Sequence, residues 1–377
     1  MRPFLKSSFL ASSLFLSLVA LFGIGLMQVY SSSYIFATES YGDGLYFFKR
    51  QLIFTILSAF CLIACTQLPM SFLKKWSWLL WPVAFVLLCA TFIPGIGVRV
   101  GGALRWIQLP MGVRFEPSEL LKVAFSFVFA SIVCRHENIL AKMKWGWVFL
   151  FVVAPLVLLY KQPDFGSLVI IVLVALALLF TFGLSLKWLI GAGVALIPIF
   201  YFLVWNVGYR KARIQAFLDP WSDPAQKGFQ VIQSMLSVHS GGLTGVGLGQ
   251  GQGKLFFLPE AHTDFTMAVF FEEMGFFGAL FILALYGFVI FKGFQIAIKA
   301  QDMFKKTLAL GLITTFAFSV FINVAVVLGL VPTKGLTMPF MSYGGSSLLI
   351  LSFLFGILLN LEMSVSKQSS AGSFNVR

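Results

Sequence analysis

From Leu255 to Thr266 the chain reads Leu-Phe-Phe-Leu-Pro-Glu-Ala-His-Thr-Asp-Phe-Thr, so Glu260, His262 and Asp264 stand at alternate positions just before a long apolar run. Carboxylates and an imidazole at that spacing are groups that take or give a proton when a hydroxyl attacks or a leaving group departs. At the mouth of an apolar segment, they would let a water-borne reaction proceed on a substrate anchored in lipid. Asp264 also has a blander role open to it. An aspartate ahead of a helix commonly accepts the free N–H groups of the first turn and complements the helix dipole.

Two more acids lie inside the apolar run. Glu272 and Glu273 follow Asp264 by about 12 Å at 1.5 Å per helical residue. An acid at that depth costs about 3 kcal/mol unless it faces a partner or a wet cavity, which makes Glu273 a candidate substrate contact alongside His262. Upstream, Arg105-Trp106 precedes Glu116-Pro117-Ser118-Glu119, and Lys122 follows Glu119 at i,i+3. Pro117 suits a first helical turn, and the Glu119/Lys122 spacing puts acid and base on one face, as a structural ion pair or as substrate contacts. Asp164, in Gln162-Pro163-Asp164-Phe165-Gly166-Ser167, stands at another helix entrance, with capping again the alternative. Lys334 and Ser342, in Pro332-Thr333-Lys334-Gly335 and Ser342-Tyr343-Gly344-Gly345-Ser346-Ser347, precede the last span. Arg105, Lys122 and Lys334 would form a basic cradle for a dianionic headgroup near Asp264, or else anchor the chain to anionic lipid.

What must position these residues is a membrane scaffold. The 377 residues are 59% hydrophobic and 11% charged, with 44 Phe, and the mean hydropathy is +0.93, outside the range of soluble globular domains. Apolar runs near 9–29, 51–68, 77–93, 120–134, 146–160, 167–183, 188–206, 265–291, 308–330 and 346–361 approach the roughly 17–25 helical residues that cross a bilayer. The expected fold is an all-α polytopic membrane protein of about ten transmembrane helices. Arg2 and Lys6 ahead of the first run mimic a signal peptide, but the run is too long for one and no clean cleavage site follows, so a retained helix is expected. The net charge of +13 does not point to nucleic acid. No nucleic-acid motif is present, and the Lys and Arg lie in loops where they set orientation and meet anionic headgroups. Lys74, Lys75, Arg135, Lys187, Lys299, Lys305 and Lys306 fall on the side of Arg2 and Lys6, which predicts N-in and C-in. Cys61, Cys65, Cys89 and Cys134 lie within spans, without the neighbours a metal site needs, and read as small core residues.

With that orientation, segments 94–119, 161–167, 207–264 and 331–345 all open on the extracytoplasmic face, where a common site is expected. The large loop 207–264, between helices 7 and 8, holds rigid Asp-Pro turns at 219–220 and 223–224. Phe229, Ile232, Met235 and Leu236 recur at helical spacing, which predicts a short helix in the headgroup plane. The glycine-rich run from Gly241 to Gly253 could turn its N–H groups toward a phosphate or serve as a flexible lid. No inverted repeat is apparent. Residues 1–361 read as one membrane domain, and 362–377 as a short disordered cytoplasmic tail.

Taken in order, Val29-Tyr-Ser-Ser-Ser33, Lys49-Arg50-Gln51, Gly102-Ala-Leu-Arg-Trp-Ile107, Pro117-Ser-Glu119 with Lys122, Gln162-Pro-Asp-Phe-Gly166, the Asp-Pro-Trp loop, Gly241-Gly242-Leu, Leu258-Pro-Glu-Ala-His-Thr-Asp-Phe265, Glu272-Glu273 and Ser342-Tyr-Gly-Gly-Ser-Ser347 carry a resemblance through most of the chain. The pattern resembles the SEDS family of bacterial membrane proteins, which includes FtsW, RodA and SpoVE. Segment 330–339 looks more like the division-type (FtsW) members than the elongation-type ones. The resemblance implies a ten-helix fold in the bacterial cytoplasmic membrane and a glycosyltransferase that polymerises lipid II into peptidoglycan strands during septal wall synthesis. It implies that Asp264 matches the family's essential aspartate and Trp106 an important extracytoplasmic tryptophan. The implied partners are lipid II, a class B penicillin-binding transpeptidase (FtsI-like) and other divisome membrane proteins. A divalent cation, Mg2+ or Mn2+, is left open. Glu116 departs from the pattern by standing where Gln is common, and His239 by standing where a small residue is usual. Two other classes compete on the residues alone. A lipid II transporter should place polar groups near the bilayer midplane, and a scaffolding subunit has no evident use for intramembrane acids.

Overall fold

The computed structural model of the protein describes residues 12–100, 102–135, 153–205, 208–226, 228–254, 258, 260–333 and 335–374. The first helix, α1 (Ser13–Tyr41), starts where the Ser12 hydroxyl accepts the Leu14 N–H and stops at Gly42, whose φ of 69° leaves the helical region. Its 29 residues extend about 43 Å, against a hydrocarbon layer about 30 Å thick. The polar last turns, with Thr38, Glu39 and Ser40, are the part suited to project beyond that layer.

The other helices are α2 (Tyr46–Gln67), α3 (Met70–Ala90), α4 (Pro117–Arg135), α5 (Ala154–Lys161), α6 (Phe165–Thr181), α7 (Leu186–Trp205), α8 (Gly208–Leu218), α9 (Phe229–Ser240), α10 (Thr266–Lys299), α11 (Met303–Val327) and α12 (Gly345–Phe374). Among the described residues, seven are long and apolar enough to cross a membrane: α1 to α4 and α10 to α12. The α6 helix and the first part of α7 are shorter and apolar. The expected span at 146–160 lies partly outside the described residues. The α12 helix packs along α2, α11 along α4 and α10, and α3 along α4, with Leu121, Phe127, Phe316 and Phe355 fully buried between them. Outward-facing Phe60, Trp188 and Phe281 are exposed, as expected where the solvent is itself hydrocarbon. The Ser12 hydroxyl donates to Glu362 at 2.6 Å, so the start of α1 and the later turns of α12 share one end of the molecule.

Three expectations need correction. Segment 94–119 is not a plain loop but a small antiparallel sheet, β1 (Gly97–Val100), β2 (Ala103–Gln108) and β3 (Arg114–Phe115), in the order β1-β2-β3. The last helix does not end in a disordered tail at 362, since its backbone remains helical to Phe374. The polar loop after α7 opens with α8, which membrane hydropathy cannot reveal because it is rich in Lys and Arg, though these residues and its Ala, Gln and Leu favour helix. The expected α9 forms, with Val231, Ile232 and Ser234 buried against α10 and α11 while Met235 and Leu236 face outward.

A break in α10 matters most for the site. Gly275 adopts φ 63° and ψ −165°, and the glycine-rich run fills the gap that results. Val246 and Gly247 donate N–H groups to the carbonyls of Glu272 and Glu273, and Phe276 and Phe277 donate to those of Gly242 and Leu243. A Cβ on Gly241, Gly245 or Gly275 would come within 2.2 Å of opposing backbone. The two intramembrane acids close the same clasp. The Glu272 carboxylate accepts the N–H groups of Gln252 (2.7 Å) and Gly253 (3.1 Å). Glu273 pairs with Lys254 at 2.7 Å and accepts the Ser31 hydroxyl at 2.6 Å. The run is therefore packed structure rather than a lid or a phosphate cradle, and its acids face partners rather than a wet cavity. Lys254→Met should destabilise the protein by about 3–5 kcal/mol, the usual result of stranding one member of a buried pair. Adding Glu273→Leu should recover part of that loss, as read from thermal unfolding of the detergent-purified protein.

Candidate active site

The turn that presents Asp264 hangs from one carbonyl. Glu260 O accepts the N–H groups of Thr263 (3.1 Å), Asp264 (3.1 Å) and Phe265 (3.3 Å), with Glu260 itself at φ 57°. From α11, the Asn323 side-chain amide donates to the carbonyls of Asp264 (3.2 Å) and Leu336 (2.5 Å), which ties the turn to the 331–345 segment. The helix cap is Phe265, with no side-chain cap bond. The Asp264 carboxylate is thus not consumed by capping α10.

Across from it stands Arg105. On β2 the residues alternate, with Ala103, Arg105 and Ile107 buried and Leu104 and Trp106 less so, so Trp106 takes the opposite face of the strand from Arg105. The guanidinium Nη2 donates to the Pro163 carbonyl, while Nε is buried without a partner. Gly335, at φ 63°, lies between the two groups. A Cβ there would sit 3.1 Å from Arg105 Nη1 and 3.3 Å from Asp264 Oδ2, so only glycine leaves that space open. Arg213 of α8 reaches in from the large loop, donating to the Thr333 carbonyl at 3.1 Å. Burial and the charge of Glu260 push the Asp264 carboxyl up to about 6, against the opposing pull of Arg105 and Arg213.

A second cluster adjoins the first. Lys122 and Glu119 form the expected ion pair at 2.8 Å, nearly buried, beside a small cavity of about 10 Å³ also lined by Thr315 and Ser319. Asp164 does cap α6, its Oδ1 accepting the Ser167 N–H at 3.3 Å, but its Oδ2 is buried and unpartnered. Glu116, which accepts the Ser118 hydroxyl, is driven up to about 8 by burial and by the charges of Asp164 and Glu119, with Arg105 and Lys122 pulling the other way. Arg105 is the cation common to both clusters. The basic cradle is accordingly redrawn. The cations acting on Asp264 are Arg105 and Arg213, whereas Lys122 serves the Glu116, Glu119 and Asp164 group. Lys334 lies outside the described residues.

Three other candidates are engaged within the protein. Ser342 is buried, and its hydroxyl accepts the Met338 N–H at 2.8 Å, closing a turn. Glu273 belongs to the clasp with Lys254. His262 packs in an aromatic group of Phe36, Phe47 and Tyr343, and burial lowers its pKa against the pull of Glu260. The residues that motif reading passed over are Lys254, Asn323 and the specific choice of Arg213. Two of them carried a signal. Asn323 is an amide within an apolar run, the kind of residue that is rarely idle in a membrane helix, and Lys254 is a cation available to the Glu272-Glu273 pair. Among the described residues no group of three His, Cys, Asp or Glu could hold a metal ion. A divalent cation beside Asp264 would take most of its ligands from water and substrate phosphates, as Mg2+ commonly does.

The four polar segments thus meet at one mouth. A family model described as cell cycle protein, FtsW/RodA/SpoVE, matches residues 12–367. A probable peptidoglycan glycosyltransferase FtsW from Trichlorobacter lovleyi is 42% identical, over 93% of this chain and 92% of its own. The stage V sporulation protein E of Bacillus subtilis is 36% identical over 90% and 93%. Among solved structures, a chain from work on the coordination of polymerization and crosslinking by a peptidoglycan synthase complex superposes with a TM-score of 0.77 at 27% identity, covering 93% of this chain and 96% of that one. The rod shape determining protein RodA of Thermus thermophilus does so with a TM-score of 0.67 at 24% identity, over 93% and 95%, and bears on the fold alone. With a family match over residues 12–367, the chain belongs to the FtsW/RodA/SpoVE family of cell cycle proteins.

Proposed function

We propose that the protein is a glycosyltransferase that polymerises lipid II into peptidoglycan strands at the extracytoplasmic mouth, with Asp264 as general base. The observation that carries this reading is the Asp264 carboxylate itself, free of capping, poised at about 6 and faced by two arginines. Lipid II presents an anomeric carbon with a pyrophosphate leaving group, and the acceptor presents a sugar hydroxyl. Asp264 takes the hydroxyl proton as the new C–O bond forms. Arg105 and Arg213 stabilise the charge that gathers on the departing pyrophosphate. One inversion turns the α-linked donor into a β-linked strand and needs no carboxylate nucleophile. Purified protein supplied with lipid II and a class B penicillin-binding transpeptidase should yield glycan polymer. Movement of labelled lipid II across liposomes without any polymer would instead establish a transporter. The septum is the expected location, since the FtsW relatives cover nearly the whole chain.

Two pH-linked results follow from the site. With the base at about 6, the rate should rise with pH through that value and level off above it, falling about tenfold per pH unit on the acid side. The folded protein holds this proton more tightly than the unfolded chain, whose aspartate titrates near 3.9. Asp264 therefore weighs increasingly against folding as pH rises from about 4 through about 6, and activity and stability should move in opposite directions across that window. Glu116, at about 8, is mostly protonated at neutral pH, so Glu116→Gln should keep polymerisation near wild type at pH 7. That outcome would also account for the Gln common at this position in the family. Glu119→Gln, which strands Lys122, should lose much of the activity in the same assay.

A further inference from the structure

We propose that Asn323 is a positioning residue for the base, a spacer that sets how far Asp264 stands from Arg105. The inference rests on the proposed polymerase activity and adds to it the residue that fixes the reacting geometry. Asn323 belongs to α11, which packs along both α4 and α10, and it is 1% exposed. An amide nitrogen carries two hydrogens, and this one serves two carbonyls, that of Asp264 at 3.2 Å and that of Leu336 at 2.5 Å. The two residues so held border one gap. Asp264 brings its carboxylate to it, and Gly335, next to Leu336 in the chain, lies where a Cβ would be 3.3 Å from Asp264 Oδ2 and 3.1 Å from Arg105 Nη1.

Leu336 continues the link to the cation. Its side chain rests on Gly166 in the first turn of α6, so closely that a Cβ at 166 would come within 2.5 Å of the Leu336 Cγ and Cδ2. The chain leading into that turn includes Pro163, whose carbonyl accepts the Arg105 guanidinium. A path of direct contacts therefore runs from the base through Asn323 and Leu336 to the entrance of α6 and on to Arg105. Asn323 is also costly where it stands. Its Oδ1 is buried without a partner, and an unpaired acceptor in a dry interior is unfavourable. A leucine of similar shape would avoid that cost, but it lacks the donors. Neither acceptor lies in α11, so the amide does nothing for its own helix. What the donors do is hold two main-chain segments of the site at a fixed separation, and a displacement of about 1 Å at a reacting centre can cost about 10²-fold in rate.

The test separates keeping the bonds from keeping the distance. Asn323→Gln retains both donors but offers them one methylene further out. In full-length protein in nanodiscs, supplied with lipid II and the transpeptidase, this variant should melt close to wild type. Its kcat per folded protein should fall by about 10²-fold, with the KM for lipid II nearly unchanged. Gly166→Ala leaves the amide intact but presses Leu336 away from α6, and it should lower kcat in the same way. Both losses should vanish in an Asp264→Asn background, because a spacer for an absent base has nothing to place, whereas a merely structural residue would depress the residual rate by the same factor again. The proposal is overturned if Asn323→Gln polymerises at the wild-type rate, if its loss lies in KM or in the amount of folded protein, or if the loss persists undiminished without the base. Should Asn323→Gln not fold, Gly166→Ala decides by the same readings. Wild-type polymerisation by Asp264→Asn alone would instead sink the general-base reading on which the spacer depends.

Discussion

Asp264→Asn protein should fold normally and lose lipid II polymerisation by about 10²–10⁴-fold, the range spanned by a positioned general base. The expectation of intact folding comes from the turn. What holds residue 264 in place is its backbone, through the Glu260 carbonyl and the Asn323 amide, and the carboxylate caps nothing. An amide of the same shape therefore removes the base and little else. Removing an acid that burial has pushed up to about 6 also takes away a desolvated charge at neutral pH, so the variant should melt at or above the wild-type temperature. Asp264→Glu retains the function but moves it by one methylene, and a shift of about 1 Å can cost about 10²-fold. Wild-type polymerisation by the Asn variant, measured with purified protein and lipid II, would remove Asp264 from the chemistry altogether.

Arg105→Gln should lower the rate by about 10²–10³-fold, as loss of one preorganised charge donor does elsewhere, and should also move the pH profile. Arg105 is the cation shared by Asp264 and Glu116, and it pulls both carboxyls down. Without it the Asp264 carboxyl rises further, so the acid limb of the rate profile should shift above about 6 and part of the lost activity should return at higher pH. That displacement separates an electrostatic role from a merely structural one. Damage to the sheet alone would lower the plateau and leave the limb where it was. Arg105→Lys keeps the charge but loses the fork that serves the Pro163 carbonyl and the catalytic space together, so it should hold the limb in place with a reduced rate. An unmoved limb in both variants, with rates near wild type, would show that the guanidinium is not part of the site.

The sequence by itself determined the membrane class, most of the helix positions and the shared side of the polar segments, and it brought Asp264 forward as a candidate. Those features follow from local causes. Runs of apolar residues must become helices because a bilayer offers no partner for free backbone groups, and basic loops orient them. The Glu119/Lys122 pair was legible because i,i+3 spacing sets both on one face whatever surrounds the helix. The sheet at 97–115 was within reach as well, since Ala103, Arg105 and Ile107 alternate with Leu104 and Trp106, but the Gly and Pro around them masked it. Only the tertiary structure decided which neighbours these groups meet. Glu272 and Glu273 read as acids in search of a substrate until the glycine-rich run closed on the Gly275 break and supplied Lys254 and two backbone N–H groups. Arg105 and Arg213, distant in the chain, both act on Asp264, whereas Lys122 is drawn to the neighbouring acids. The reason is physical. Hydropathy and helical spacing are properties of a short stretch of chain, but the charge on a buried group and the space beside it depend on contacts between segments that only folding brings together.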